Sequence, residues 1–60
     1  MIKLGRAYIH KKSGNEVVTQ EFATIRINRK KIDGIIYHDS KLNNHVRTID
    51  DFASQCELIK

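Results

Sequence analysis

The predicted fold is decided by Ile35-Ile36-Tyr37-His38 and by Val46-Arg47-Thr48-Ile49-Asp50-Asp51-Phe52. The first stretch has the β-branched and aromatic residues that are typical of a buried strand. The second predicts a short strand that runs into one turn of helix and presents Phe52 to a core. Everything before these stretches is expected to form a long hairpin that covers that core.

The helical turn is predicted from the residues at its start. The hydroxyl of Thr48 is placed to accept a hydrogen bond from the amide of Asp51, as an N-terminal cap does. Asp50 and Asp51 are favourable in a first turn because the helix dipole is positive there. We therefore predict a single short helical turn near residues 49–55.

The remaining elements are predicted to be strands joined by polar turns. Asp33-Gly34 is a strong turn signal, and residues 28–31 are expected to be a polar, basic connection. No segment has a helical period long enough for a main helix. The predicted strands cover residues 6–10, 16–27, 35–38, 45–48 and 57–59, and Lys11 to Asn15 form a turn.

The apolar pattern changes period inside the long strand over residues 16–27. Apolar residues occupy odd positions from Ala23 to Ile27, but even positions at Val18 and Phe22. A side-chain period of two places both sets on one face only if the strand contains a bulge or a bend. We predict that break near residues 20–22; the alternative is an ordinary long strand buried in part on both faces.

Four aromatic residues fall one in each proposed element: Tyr8, Phe22, Tyr37 and Phe52. Four large side chains from four elements suit the centre of a five-stranded barrel of this size. Phe22 and Phe52 are predicted to be core residues. Tyr8 and Tyr37 are also assigned to the core, with the alternative that their hydroxyls reach the surface. The other interpretation is a surface on which bases of a single-stranded nucleic acid stack.

Several short motifs are spread along the chain: Arg6-Ala7-Tyr8-Ile9-His10-Lys11-Lys12-Ser13-Gly14-Asn15, Asp33-Gly34 before Ile35-Ile36-Tyr37, Val46-Arg47, Asp51-Phe52 and Glu57. Together they resemble a loose family of small, uncharacterised phage and bacterial proteins with an SH3-like barrel. The resemblance covers residues 5–59. It implies a mainly β fold, a small SH3-like five-stranded barrel, as one domain over residues 1–60. It also implies a phage or mobile-element origin, and it transfers no catalytic residues.

Length and composition agree with one small domain. Sixty residues bury only about 60% of their unfolded surface, near the lower limit for folding alone. Residues 1–5 lack the apolar segment of a signal peptide. The single cysteine, Cys56, has no internal disulfide partner, so we expect a cytoplasmic protein, in the host cytoplasm if it is phage-encoded.

The candidate catalytic and metal-binding residues are too scattered to predict an enzyme or a cofactor. His10, His38, His45 and Cys56 lack the tight local pairs of zinc sites. We expect the thiol of Cys56 to be a buried packing group and not a nucleophile. The acids Asp39, Asp50 and Asp51 have no positioned base or nucleophile beside them. We therefore expect a protein that is not an enzyme and binds no cofactor.

Positive charge is concentrated in the first half of the chain. Residues 1–31 hold eight Lys or Arg and two acids, whereas residues 32–60 hold three and five, for a net charge of +4. The predicted partner-binding residues lie on a hairpin tip and on a second turn, which together are expected to form one positive edge: Arg26, Arg29, Lys30 and Lys31 on the tip, and Lys11 and Lys12 on the turn. The alternative is a solvated loop.

Two functions follow from these features. The preferred one is a small binding module, a phage or mobile-element accessory protein that binds and modulates a host protein. The alternative is a nucleic-acid-binding module that uses the basic loops to contact phosphates. Neither interpretation places the chain at a membrane, since no apolar run approaches the roughly 18 residues that a membrane helix needs.

Overall fold

The structure is a computed structural model that describes residues 2–59. It contains five strands and one short helix in the order β1 (Ala7–His10), β2 (Glu16–Ile27), β3 (Lys30–Asp39), β4 (Asn44–Thr48), α1 (Ile49–Gln55) and β5 (Cys56–Leu58). The predicted mainly β fold with one short helix near residues 49–55 is confirmed. Within residues 2–59, no helix is both long enough and apolar enough to cross a membrane.

The five strands form one antiparallel sheet in the order β4-β3-β2-β1-β5. β2 and β3 are the longest pair, and they stay paired from Val17 and Asp39 to Ile27 and Lys30. In the described part of the chain, β4 pairs with β3 alone and β5 with β1 alone, so the sheet is open. Hydrogen bonding therefore does not close the predicted barrel.

The bulge predicted in β2 is present. The pairing register between β2 and β3 shifts between Thr19 and Glu21, so Gln20 is an extra residue on β2. Before the bulge, Val17 and Thr19 are buried. After it, Phe22 is the residue of β2 that pairs with the fully buried Ile35. Beyond the bulge the even positions of β2 therefore share the core face, and Val18 shares the outer face with the odd positions from Ala23 to Ile27.

The core lies at one end of the sheet, under α1. It comprises Ile2, Tyr8, Val17, Ile35, Tyr37, Phe52 and Cys56, with Ile49 and Leu58 packed against it. Three of the four aromatic residues belong to it: the ring centroid of Phe52 lies 5.1 Å from that of Tyr8 and 5.0 Å from that of Tyr37. The helix that carries Phe52 begins as predicted, since the Asp51 amide donates to the Thr48 hydroxyl at 3.1 Å.

The prediction that Phe22 is a core residue is wrong. Its side chain is 47% exposed although it pairs with Ile35. The reason is position along the sheet: β2 and β3 continue beyond the part of the sheet that α1 covers. Phe22 lies at the margin of that cover, beside Ile49, in a shallow depression.

The predicted turn at Asp33-Gly34 is also wrong, because both residues lie inside β3. The chain reverses instead at Asn28 and Arg29, which join Ile27 directly to Lys30 and have φ angles of 48° and 67°. Two successive residues with positive φ form the two-residue hairpin loop whose twist matches that of the flanking strands. β3 therefore begins five residues earlier than predicted, at Lys30 rather than Ile35.

Gly34 has a packing role in place of the predicted turn. A β-carbon at this position would lie 2.6 Å from Cδ1 of Ile25 and 3.1 Å from the carbonyl oxygen of Arg47. Both distances are shorter than ordinary van der Waals contact. Glycine in the interior of a strand commonly marks such a close approach.

A buried threonine holds the N-terminal segment against the sheet. Thr19 is 1% exposed, and its hydroxyl donates to the carbonyl oxygen of Lys3 at 2.6 Å. The same hydroxyl accepts from the amide of Arg6 at 3.3 Å. Because the Thr19 hydroxyl has partners on both sides, this polar group is buried without an unsatisfied bond.

Candidate nucleic-acid interface

The β2–β3 hairpin extends beyond the core as an arm, defined here as residues 21–33. Register pairs Arg26 with Lys31 and Ile27 with Lys30 on either side of the two-residue turn. The whole molecule is 35 Å long but only 21 and 19 Å in its other two dimensions. The predicted polar connection over residues 28–31 is therefore not a loop: Lys30 and Lys31 belong to β3, and Arg26 belongs to β2.

The four predicted basic residues of this region are all exposed and close together at the tip of the arm. Arg26 and Lys31 are directly opposite each other, so their side chains share one face. Lys30 points to the other face because side chains alternate along a strand. Arg29 occupies the turn itself. Positive charge therefore surrounds the tip on both faces.

The predicted basic residues Lys11 and Lys12 lie elsewhere. They are in the turn between β1 and β2, at the beginning of β2, whereas the tip of the arm follows its end. β2 is twelve residues long, so the two turns are separated by nearly the length of the molecule. The expectation that they form one positive edge is wrong. The amide of Lys11 donates to the carbonyl oxygen of Gln55 at 2.9 Å, which ties this turn to the end of α1.

The face of the arm that carries Arg26 and Lys31 also carries Phe22. Residues 22, 24 and 26 alternate onto one side of β2, and they pair with residues 35, 33 and 31 of β3. An exposed aromatic ring thus lies two cross-strand rows from the pair of cations. The sequence did not indicate this neighbour, because Phe22 was expected to be in the core.

A second polar site lies at the opposite end of the sheet. It is a shallow cleft of about 210 Å³ whose lining includes Tyr37, Asp39, His45 and Arg47. The ring of His45 stacks on Tyr37 with centroids 5.2 Å apart, and its Nε2 lies 3.0 Å from Oδ2 of Asp39. These residues come together because β3 and β4 pair Tyr37 with His45, which required a register that the sequence did not specify.

Asp39 organises the turn between β3 and β4. Its Oδ1 accepts from the amides of Lys41 at 2.9 Å and Asn43 at 3.0 Å. The hydrogen bond with His45 is the main reason that the pKa of Asp39 falls from 3.8 to about 2, and the amide of Asn43 is the next. This carboxylate therefore has a structural role in closing the turn.

The other histidines that were considered as catalytic or metal-binding residues form hydrogen bonds with neighbouring side chains. Nδ1 of His10 hydrogen-bonds with the hydroxyl of Ser13 at 3.1 Å, and its Nε2 hydrogen-bonds with the side-chain oxygen Oε1 of Gln55 at 3.2 Å. His38 lies 2.6 Å from the side-chain amide of Gln20 at the bulge. Among residues 2–59, no three His, Cys, Asp or Glu residues are grouped so that they could hold a metal ion.

The thiol of Cys56 is buried, as predicted. Burial raises its pKa above the ordinary value of 9.0, although the charge of Lys11 acts in the opposite direction. The protonated thiol therefore predominates at neutral pH. Since the thiolate is the nucleophilic form, this environment suits a packing residue.

Because the pKa of Asp39 is lowered in the folded state, the stability of the fold should depend on pH in the acidic range. A carboxyl group with a lower pKa in the folded state stabilises the fold above pH 3.8, and that contribution is lost as the pH falls toward 2. We expect the carboxyl carbon of Asp39 to titrate in a nuclear magnetic resonance experiment with a midpoint near 2. In His45→Gln, the midpoint should move toward 3.8, because the largest contribution is removed. A wild-type midpoint at 3.8 would show that the hydrogen bond to His45 does not form in solution.

Comparisons of the chain with protein-family models, with curated proteins and with solved structures found no match.

Proposed function

We propose that this chain is a small, non-enzymatic binding module whose arm contacts the phosphates of a nucleic acid. The observation that carries the proposal is the tip of the arm, where Arg26, Arg29, Lys30 and Lys31 are exposed within six residues and no acid intervenes. Clustered Lys and Arg release counterions from a nucleic acid when they bind its phosphates, and that release favours association.

The shape of the arm supports the same proposal. A two-stranded β-ribbon fits the major groove of duplex DNA, which is about 12 Å wide. The tip is narrow because its two strands are joined by only two residues, Asn28 and Arg29. Arg29 is then at the leading end, and Arg26 and Lys31 follow on one face. The geometry thus favours the nucleic-acid function, which the sequence alone ranked second.

The proposal predicts binding that depends steeply on salt. We expect fluorescence anisotropy to detect association with a labelled duplex or single-stranded oligonucleotide at about 50 mM salt, and to show a large loss of affinity at about 200 mM. In Arg26→Ser/Lys31→Ser, affinity should fall similarly for all sequences, and the salt slope should shrink by about two, one for each lost phosphate contact.

The matched control is Lys11→Ser/Lys12→Ser. This variant removes the same charge from the other end of β2 and leaves the arm intact. We expect it to retain most of the affinity and the wild-type salt slope. Equal losses in the two double variants would mean that only net charge matters. No binding of the wild-type chain at about 50 mM salt would remove the nucleic-acid function altogether.

The open sheet supports a second candidate, the protein partner that the sequence favoured. The outer edges of β4 and β5 have no strand beside them in the described residues. Unpaired edges can accept an extended segment of another protein by strand addition. A partner captured in this way should bind with little dependence on salt, and Arg26→Ser/Lys31→Ser should not weaken it.

We also propose that the sheet belongs to the SH3-like barrels and that the chain is a phage or mobile-element accessory protein of the host cytoplasm. The strand order β4-β3-β2-β1-β5 and the helix between β4 and β5 support the first part. The helix joins β4, at one edge of the sheet, to β5, at the other, and it also contacts β3. The free thiol of Cys56 suits a reducing compartment.

A further inference from the structure

The outer face of the sheet, opposite the core, is apolar along the arm. Register and the alternation of side chains place six apolar residues on this face: Ala23, Ile25, Ile27, Ile32, Ile36 and Val46. Ile27 and Val46 are each 45% exposed, and the other four are half-buried. The solvated face of an antiparallel sheet is normally polar, so a continuous apolar face of this kind indicates a surface that another molecule covers.

The face is organised in four cross-strand rows. From the core end to the tip, the pairs contributed by β2 and β3 are Glu21 with Ile36, Ala23 with Gly34, Ile25 with Ile32, and Ile27 with Lys30. β4 adds Val46 to the first row. The rows span about 20 Å, since each residue of a strand advances roughly 3.3 Å. The apolar rows are thus bounded by an acid at one end and a base at the other.

The two charges lie on the same face and have no partner of their own. Within residues 2–59, the one ion pair is that of His45 with Asp39, so neither Glu21 nor Lys30 is neutralised by the chain. Both side chains are exposed. A partner with a base opposite Glu21, an acid opposite Lys30 and apolar residues between them would complement this face.

A second copy of the same chain is such a partner. Consider a two-fold axis that lies parallel to the face, across the strands, between the Ala23 and Ile25 rows. This axis places the Glu21 row of the first copy opposite the Ile27–Lys30 row of the second. By symmetry, the Ile27–Lys30 row of the first copy lies opposite the Glu21 row of the second. In such an isologous contact, each favourable pair occurs twice. Two sheets packed about 10 Å apart leave room for the side chains of Glu21 and Lys30 to meet.

We propose that this protein forms a homodimer in which the outer faces of two arms pack antiparallel, with Glu21 of each copy paired to Lys30 of the other. The inference goes beyond the proposed function: the dimer uses Lys30, one of the four basic residues at the tip, whereas Arg26 and Lys31 are on the opposite face and stay exposed. Two strands over about 20 Å offer less than the roughly 1,200 Å² of total buried surface at the low end of stable interfaces, so the contact is of the weak, transient kind. We therefore expect a weak dimer that dissociates on dilution.

The symmetry allows a sharp test by charge reversal. In Glu21→Lys, both pairs become Lys with Lys, and in Lys30→Glu, both become Glu with Glu. Each single variant should dimerise at least about tenfold more weakly than the wild type. An equimolar mixture of the two variants restores two opposite-charge pairs in the heterodimer. We expect sedimentation velocity to show the mixture dimerising as strongly as the wild type.

A third variant tests the apolar part of the interface. Ile27→Asp introduces a charge into the patch at a residue that is already 45% exposed, so it should leave the fold intact and abolish the dimer. Circular dichroism melts of all three variants establish that each is folded. A wild-type chain that stays monomeric up to about 0.5 mM would overturn the proposal. So would a mixture of Glu21→Lys and Lys30→Glu that dimerises no better than either variant alone.

Discussion

Replacing Phe52 with alanine is expected to destabilise the fold by about 3–5 kcal/mol, the usual range for truncating a buried aromatic residue. Phe52 is 2% exposed and contacts both buried tyrosines, Tyr8 in an edge-on and Tyr37 in a tilted arrangement. A domain of this size has a total stability of only about 5 kcal/mol. Much of the Phe52→Ala chain should therefore be unfolded at room temperature, which urea denaturation followed by circular dichroism would measure.

Phe52→Leu is the matched control. Leucine keeps most of the apolar volume and suits a helix, so we expect a smaller loss than in Phe52→Ala and a cooperative transition. A melting temperature of Phe52→Ala within a few degrees of the wild type would mean that α1 does not cover the core. The assignment of the core to that end of the sheet would then be wrong.

Replacing Gly34 with valine is expected to cost about 1–3 kcal/mol, as overpacking typically does. A β-carbon there would press on the side chain of Ile25 and on the carbonyl oxygen of Arg47. Gly34→Ala should cost less, because the nearest atom, Cδ1 of Ile25, is the end of a side chain that can move. Chemical denaturation of both variants would measure the two costs.

A double variant separates the steric cause from a loss of backbone flexibility. Ile25→Ala removes the two atoms that approach closest to Gly34. If crowding is the cause, Gly34→Val should destabilise the Ile25→Ala background less than the wild type, and the difference is the coupling between the two sites. Additive losses would contradict the steric explanation and point to an effect of Gly34 on the strand itself.

Local rules predicted the parts of the fold that depend on neighbouring residues. The capping hydroxyl of Thr48 and the two acids after it were sufficient to place α1 at residues 49–55. The change of apolar period in β2 was sufficient to place the bulge beside Gln20. The helix cap and the bulge each depend on residues that are close together in the sequence. Both can therefore be predicted without knowledge of the tertiary structure.

Features that depend on distant residues were not predicted. Asp33-Gly34 has the composition of a turn. Gly34 instead lies within a strand, where the side chain of Ile25 on β2 leaves no room for a β-carbon. Asn28-Arg29 lacks the glycine that usually marks a two-residue hairpin loop. Phe22 was assigned to the core because nothing local shows that the sheet extends beyond the helix.

The sequence predicted which basic residues form the candidate site, and the order and length of the strands showed which of them lie together. All six basic residues that the sequence selected are in turns or at the tip of the arm, but Lys11 and Lys12 lie at the other end of β2. Residue counts alone could not separate the two groups. Separating them required the lengths of the strands. The pair of Asp39 and His45 was missed for the same reason, because it depends on the register between β3 and β4.

Because β2 and β3 extend past the core, two parts of the chain should differ in how well they tolerate mutation. Beyond Ile35 toward the tip, the side chains of the arm contribute little to the buried core, so many substitutions there should leave the rest of the domain folded. Residues around Phe52 and Thr19 have no such freedom. The sequence at the tip of the hairpin can therefore vary almost independently of the rest of the domain without loss of the fold.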